Sequence, residues 1–142
     1  MITFATEYDD TNIFAKILRG ELPNITVYED SEVLSFMDIM PQRVGHTLVV
    51  PKHPAVTLLD LPSEQFTSLM NVTQRVAAAV QKATSAAGFT LLQLNGSAAG
   101  QTVPHLHFHI IPGSIINGEP HAAKMGDQDE LAKIAERIKN HL

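Results

Sequence analysis

An antiparallel sheet with helices packed on it, an α+β layout, is the fold class that this sequence of 142 residues predicts. Two observations carry the prediction. Runs with strand character outnumber helical ones, and several neighbouring strand runs are joined by connections too short for a parallel crossover.

Along the chain, Thr11 or Asp10 can cap a short helix over Asn12 to Arg19, with Ile13, Phe14, Ile17 and Leu18 apolar and Gly20 as its stop. Ile25 to Glu29 and Val33 to Met37 read as two strands, and Asp30-Ser31-Glu32 between them predicts a hairpin. After a loop from Met40 to Gly45, His46 to Pro51 is a third strand ended by proline. Asp60 to Glu64 opens the longest helix; Phe66, Leu69, Met70, Thr73, Val76, Ala77 and Val80 give its core stripe, and Gly88 closes it. Phe89 to Leu94 is a fourth strand, Asn95 to Gln101 a loop of small residues, and His105 to Pro112 a fifth strand. Ser114 to Gly126, with Gly118 and Pro120, is irregular, and Asp127 with Glu130 caps a last helix striped by Leu131, Ile134, Ala135 and Ile138.

Composition narrows the function classes. The length suits one domain, 1–142, with a sizeable core. A formal charge of −5 argues against a nucleic-acid binder, which would be basic. No apolar run is long enough to span a membrane, so no membrane partner is expected. The acidic, polar N-terminal segment does not resemble a secretory signal, which favours the cytoplasm. With no cysteine there is no disulfide framework and no thiolate metal site.

The most informative run is His105-Leu106-His107-Phe108-His109-Ile110-Ile111-Pro112. Its period of two is that of a strand, so three imidazoles share one face while Leu106, Phe108 and Ile110 turn to a core. A metal site is one reading, since three histidines and a water make a catalytic zinc centre. Geometry opposes it: four residues along a strand span ~13 Å at ~3.3 Å each, whereas zinc lies ~2 Å from each nitrogen. Two neighbours would need a further ligand, and His46 or His53 could supply one only through space. A purely structural row is the second reading, although three histidines in strict alternation are costly to place. The third is acid–base or covalent catalysis by imidazole. Close imidazoles cannot all be charged, so at least one is pushed toward its neutral, nucleophilic form. Phosphorus is the natural electrophile, because the preceding loop offers backbone N–H groups, with Gln101 and Thr102 as neutral donors beside them. That loop lacks the Gly-Lys-Ser/Thr ending of a Walker A sequence. No cofactor and no metal are expected.

These residues resemble the histidine-triad family, whose signature His-φ-His-φ-His-φ-φ, with φ apolar, is matched in full by His105 to Ile111. Asn12 to Ile17, Phe36 to Pro41, Gly45 to His53, Leu94 to Gly96 and Gly100 to Pro104 resemble its other blocks, in order, so the motif-bearing core runs from about 10 to 112 and 113–142 is a variable tail. The arrangement is most similar to the Hint branch. The resemblance implies an antiparallel HIT-like fold, a two-fold homodimer, and a nucleotide hydrolase or transferase acting at the α-phosphate of adenylylated compounds. Purine nucleoside phosphoramidates and aminoacyl-adenylates are the implied substrates, and a nucleoside monophosphate is released. By the same match His107 is the nucleophile of a nucleotidyl-imidazole intermediate, His109 contacts phosphate or leaving group, His105 orients the nucleophile and His46 supports them. Asp38 is implied to hold the ribose hydroxyls and Ile13, Phe14 and Ile39 to wall the base; Asn95, Gly100, Gln101 and Thr102 make the phosphate-side contacts. Ile13 and Phe14 fit ordinary core equally well. His53 reads as structural, and His121 and His141 as solvated. A Cys-x-x-Cys zinc site found in some members is absent, because Asn12 and Ala15 stand there. A dinucleoside polyphosphate hydrolase, or a nucleotide-binding interaction module with incidental hydrolysis, are the alternatives.

Overall fold

The computed structural model describes residues 1–116 and 125–142. Gly118, Pro120 and His121 lie outside them. Five antiparallel strands form one sheet in the order β1-β2-β3-β5-β4: β1 (Thr26–Glu29), β2 (Val33–Met37), β3 (Thr47–Pro51), β4 (Phe89–Leu92) and β5 (Phe108–Pro112). Asp30 builds the hairpin between β1 and β2, its Oδ1 accepting from the N–H groups of Glu32 and Val33. Among the described residues three α-helices complete the fold: α1 (Ile13–Leu18), α2 (Ser63–Thr84) and α3 (Gln128–Lys139).

The two faces of the sheet differ. Val33 and Met37 of β2, Val49 of β3 and Phe108 and Ile110 of β5 join Leu69, Val76 and Val80 of α2 and Ile134 and Ile138 of α3 in the larger core. Each fully buried side chain of this size contributes about 1.5–3 kcal/mol. On the other face Leu34, Phe36, Leu48 and Val50 meet Phe14 of α1 in a smaller cluster. His109 is the Cα partner of Leu48, so it stands on this second face.

Several boundaries move from their sequence positions. Asn12 is the cap of α1, not its first residue: its Oδ1 accepts from the Ala15 N–H at 2.9 Å. Helix α2 stops before Gly88, because Ser85 takes the left-handed cap at φ 53° and the Ser85 and Ala86 N–H groups close on Lys82 and Gln81. Phe66, placed in the stripe by its spacing, is exposed; burial of α2 starts at Leu69. β5 begins only at Phe108, so His105 and His107 precede the ladder. Alternation persists through them, because the Leu106 N–H is held by the Ala55 carbonyl at 2.8 Å and Leu106 is fully buried in the larger core.

Gly45 ends the loop between β2 and β3 at φ +96°, and a Cβ there would lie 2.7 Å from Thr84 Cγ2 and 3.1 Å from Pro112 Cγ. Only glycine suits both the conformation and the space. Among the described residues no helix is long and apolar enough to cross a membrane.

Candidate active site

Antiparallel pairing assembles the first part of the site. Met37 and Thr47 are partners at the open end of β2 and β3, and the Asp38 N–H continues the ladder onto the His46 carbonyl at 3.1 Å. Asp38 and His46 therefore face each other, and His109 comes beside them from β5. His46 Nε2 is 2.9 Å from His109 Nδ1 and 3.3 Å from Asp38 Oδ2. Asp38 also caps its own turn, accepting from the Met40 N–H through Oδ1.

The remaining histidines follow the chain outward. His107 and His109 have ring centroids 5.0 Å apart, and Phe14 packs edge-on against His107 at 4.9 Å. His105 lies deeper, fully buried, with Tyr8 edge-on at 5.5 Å.

Hydrogen bonding assigns the tautomers. A carbonyl can only accept, so His107 donates Nδ1–H to the His105 carbonyl at 2.6 Å and keeps a lone pair on Nε2. His105 donates Nε2–H to the Pro51 carbonyl at 2.8 Å. His46 Nδ1 accepts from the Gln42 N–H at 3.1 Å, so its Nε2–H is the donor to His109 Nδ1, which leaves His109 with its proton on Nε2. His107 is thus the one member of the row with Nδ1 protonated and Nε2 basic. Burial pushes its pKa down, against the opposing pull of the His105 carbonyl and Asp38. The same cause takes His105 down to about 4, so both rings are neutral at neutral pH. The chemistry available is nucleophilic attack by one imidazole beside a second whose Nε2–H can hydrogen-bond the reacting group.

The phosphate-side loop is closed on itself. The N–H groups of Gly96, Ser97, Ala99, Gly100 and Gln101 bond to Gln101 Oε1, Ile2, Gly96, Ser97 and Gly96 respectively. Gln101 is buried, and its Nε2 donates to the Val56 and Val103 carbonyls. Asn95 accepts from the Leu58 N–H and exchanges amide hydrogen bonds with Gln93. The Gln101 and Asn95 side chains thus brace the loop, whereas Thr102 is exposed. A recess of about 260 Å³ beside it is lined by Asp9, Thr11, Asn12, Ile13, Thr102, Val103 and Pro104. Ile13 and Ile39 are exposed and Phe14 is buried, and the Gly126 N–H returns to the Ile39 carbonyl at 2.8 Å. His53 is half-buried and His141 exposed, both outside these contacts.

Two features escape the sequence reading. Tyr8 reaches the histidine row from a polar segment with no periodicity to flag it. Asp38, His46 and His109 bring one carboxylate oxygen and two ring nitrogens within 4.8 Å of one another, a set able to hold a cation. Its members are far apart in sequence, which is why spacing alone did not reveal it.

The model of the family described as "HIT domain" matches residues 19–115. The adenosine 5'-monophosphoramidase HNT1 of Saccharomyces cerevisiae is 36% identical over 135 residues, covering 92% of this chain and 82% of its own. The adenylylsulfatase HINT3 of Arabidopsis thaliana is 40% identical over 100 residues, covering 70% of this chain and 51% of its own. A crystal structure of a Hit-like protein from Bartonella henselae, described as involved in cell-cycle regulation and holding an unknown ligand, superposes with a TM-score of 0.89 at 44% identity, covering 96% of this chain and 100% of that one.

Proposed function

This chain belongs to the HIT domain family and is a hydrolase of that type, and from this premise we propose that it cleaves adenylylated compounds at the α-phosphate through a nucleotidyl-His107 intermediate. The observation that carries the reading is the tautomer pattern: His107 alone offers a basic Nε2 while its Nδ1–H rests on a carbonyl able to support positive charge. In the first step Nε2 forms a bond to phosphorus as the bond to the leaving amine or oxygen breaks; His109 Nε2–H hydrogen-bonds the leaving atom, which takes its proton from solvent. In the second, water attacks phosphorus, its proton passes to solvent, and the P–N bond breaks to release the nucleoside monophosphate and return neutral His107. His105 orients His107; His46 holds His109 in its tautomer.

Asp38 binds the ribose hydroxyls, and Ile13, Phe14 and Ile39 form the base side. Thr102 supplies the neutral donor on the phosphate side; Asn95, Gly100 and Gln101 contribute by shaping the loop that presents it. The activities named for the yeast and Arabidopsis relatives support phosphoramidates and adenylylsulfate as substrates. A homodimer belongs to the same proposal, and edge strand β4, with Phe89 44% and Leu91 41% exposed, is the edge suited to pair with a second copy; sedimentation of the wild type and Leu91→Lys tests it. Turnover of adenosine 5'-phosphoramidate, adenylylsulfate and a diadenosine polyphosphate, with mass spectrometry of enzyme quenched and digested under alkaline conditions that preserve a P–N bond, tests the activity. An adduct of one adenylyl group on the peptide holding His107 is expected. Nucleotide binding with no turnover of any of the three would overturn the enzyme reading.

A further inference from the structure

We propose that Tyr8 is a positioning residue for the histidine row, its phenol locking the His105 ring and through it the carbonyl on which His107 rests. The inference builds on the role given to His107 above. Its starting point is that His105 donates Nε2–H to the Pro51 carbonyl. A neutral ring bonded this way has a lone pair on Nδ1, and a fully buried lone pair needs a donor. Tyr8 Oη lies 2.6 Å from that nitrogen and is the hydroxyl that supplies the proton. The ring is therefore held from two sides, by the end of β3 and by the N-terminal segment. Burial keeps it neutral, so the arrangement persists across the ordinary pH range.

Two bonds then separate Tyr8 from the attacking nitrogen's own ring. His105 is clamped by its side chain, and its backbone carbonyl accepts the His107 Nδ1–H at 2.6 Å. A tilt of the His105 ring moves that carbonyl, and a small misplacement of a nucleophile costs rate more than affinity.

The segment carrying Tyr8 is anchored independently at each end. Ile2 exchanges two hydrogen bonds with Ser97 of the phosphate-side loop, from its N–H to Ser97 Oγ at 2.6 Å and to its carbonyl from the Ser97 N–H at 2.8 Å. Beyond Tyr8, Asp9 Oδ1 accepts from the N–H and hydroxyl of Thr11, and Asn12 caps α1. Residues 1–12 thus form a strap from the loop, past His105, to the helix that carries Phe14.

Tyr8→Phe is the deciding variant, because it keeps the ring packing and removes only the hydroxyl. Three quantities are read: kcat and KM for adenosine 5'-phosphoramidate, the melting temperature, and the ¹⁵N resonance of His105 Nδ1. The expected result is a kcat lower by about ten-fold, the scale of one lost hydrogen bond, with KM within about two-fold. Melting temperature should fall by only a few degrees, the scale of one buried acceptor left without its donor, and the Nδ1 resonance should move to that of an unbonded lone pair. Tyr28→Phe, whose hydroxyl bonds to Asp30 on the distant hairpin, serves as the control with unchanged kcat. An unchanged Nδ1 resonance, or a wild-type kcat, overturns the proposal. So does a KM that rises as much as kcat falls, the mark of a general loss of structure. If wild-type protein failed to turn over the phosphoramidate, the activity reading would fall alone, and the Nδ1 resonance would still decide the Tyr8–His105 bond.

Discussion

His107 and His105 are joined by a hydrogen bond from ring to backbone, Nδ1–H to carbonyl oxygen at 2.6 Å, two residues apart in sequence. The bond fixes which nitrogen of His107 is basic, and it turns a row of three similar side chains into three different ones. Removing the His107 imidazole should therefore abolish chemistry while sparing binding. For His107→Ala, single-turnover kinetics should show a loss of about 10³-fold or more, with AMP affinity within a few-fold of wild type. A variant retaining near-wild-type turnover would reassign the nucleophile.

Acid should destabilise the protein before it protonates the site. His105 has an ordinary pKa of 6.5 and, when folded, one of about 4. Between these values the unfolded chain binds a proton that the folded chain refuses. Stability is thus full above pH 6.5, falls as the pH drops, and is lost by about 3 kcal/mol once pH passes below 4. His107, also held down by burial, acts in the same direction. Urea midpoints of wild type and His105→Gln from pH 7 to 4 check this; identical slopes for the two would remove His105 as the cause.

Asp38→Ala should weaken AMP binding about ten-fold or more and 2'-deoxy-AMP binding less, since a carboxylate paired with two ribose hydroxyls makes charge-assisted bonds that one hydroxyl cannot replace. The comparison of sugars matters because Asp38 also faces His46 at 3.3 Å, and loss of that contact would affect both nucleotides equally. Calorimetric titrations with both ligands decide it, and equal losses would assign Asp38 to His46 instead of ribose.

The proposed attack by His107 needs no Lewis acid, so turnover should survive excess chelator. Added zinc should instead inhibit, by occupying Asp38, His46 and His109, which have ligand atoms within 4.8 Å of one another. Assays after exhaustive chelation, then with graded zinc, check both halves; activity that zinc restores would reverse the assignment.

Strands and helices were legible wherever burial imposes a pattern. Val33 to Met37 and Thr47 to Pro51 are short, nearly continuous apolar runs because both faces of the sheet are covered, and their ends set those strands to within a residue. The histidine row was legible from its strict period of two, although its first half is held by Ala55 outside the ladder. Local chemistry was less so. Gln101 and Asn95 look like free donors in sequence, yet a loop of small residues has few side chains to brace it, and these two do that work. Ser85 could not be chosen over Gly88 as a cap, since glycine suits a left-handed position better and only the packed helix fixes its length. Tyr8 and His105 meet across 97 positions, a distance no periodic pattern spans.

The unequal faces of the sheet have a consequence for motion. Helices α2 and α3 lock one side with the larger cluster, while α1 and the strap cover the other through Phe14 and a few hydrogen bonds. Opening the strap and α1 exposes far less apolar surface than unfolding the sheet, so it is a separate, cheaper event. Backbone amides of 13–18 should then exchange with deuterium well ahead of those of 72–80, and a bound nucleotide monophosphate should slow the first set alone. The histidines would be uncovered in a state whose sheet is still intact, giving a substrate a way in that does not compete with the stability of the fold.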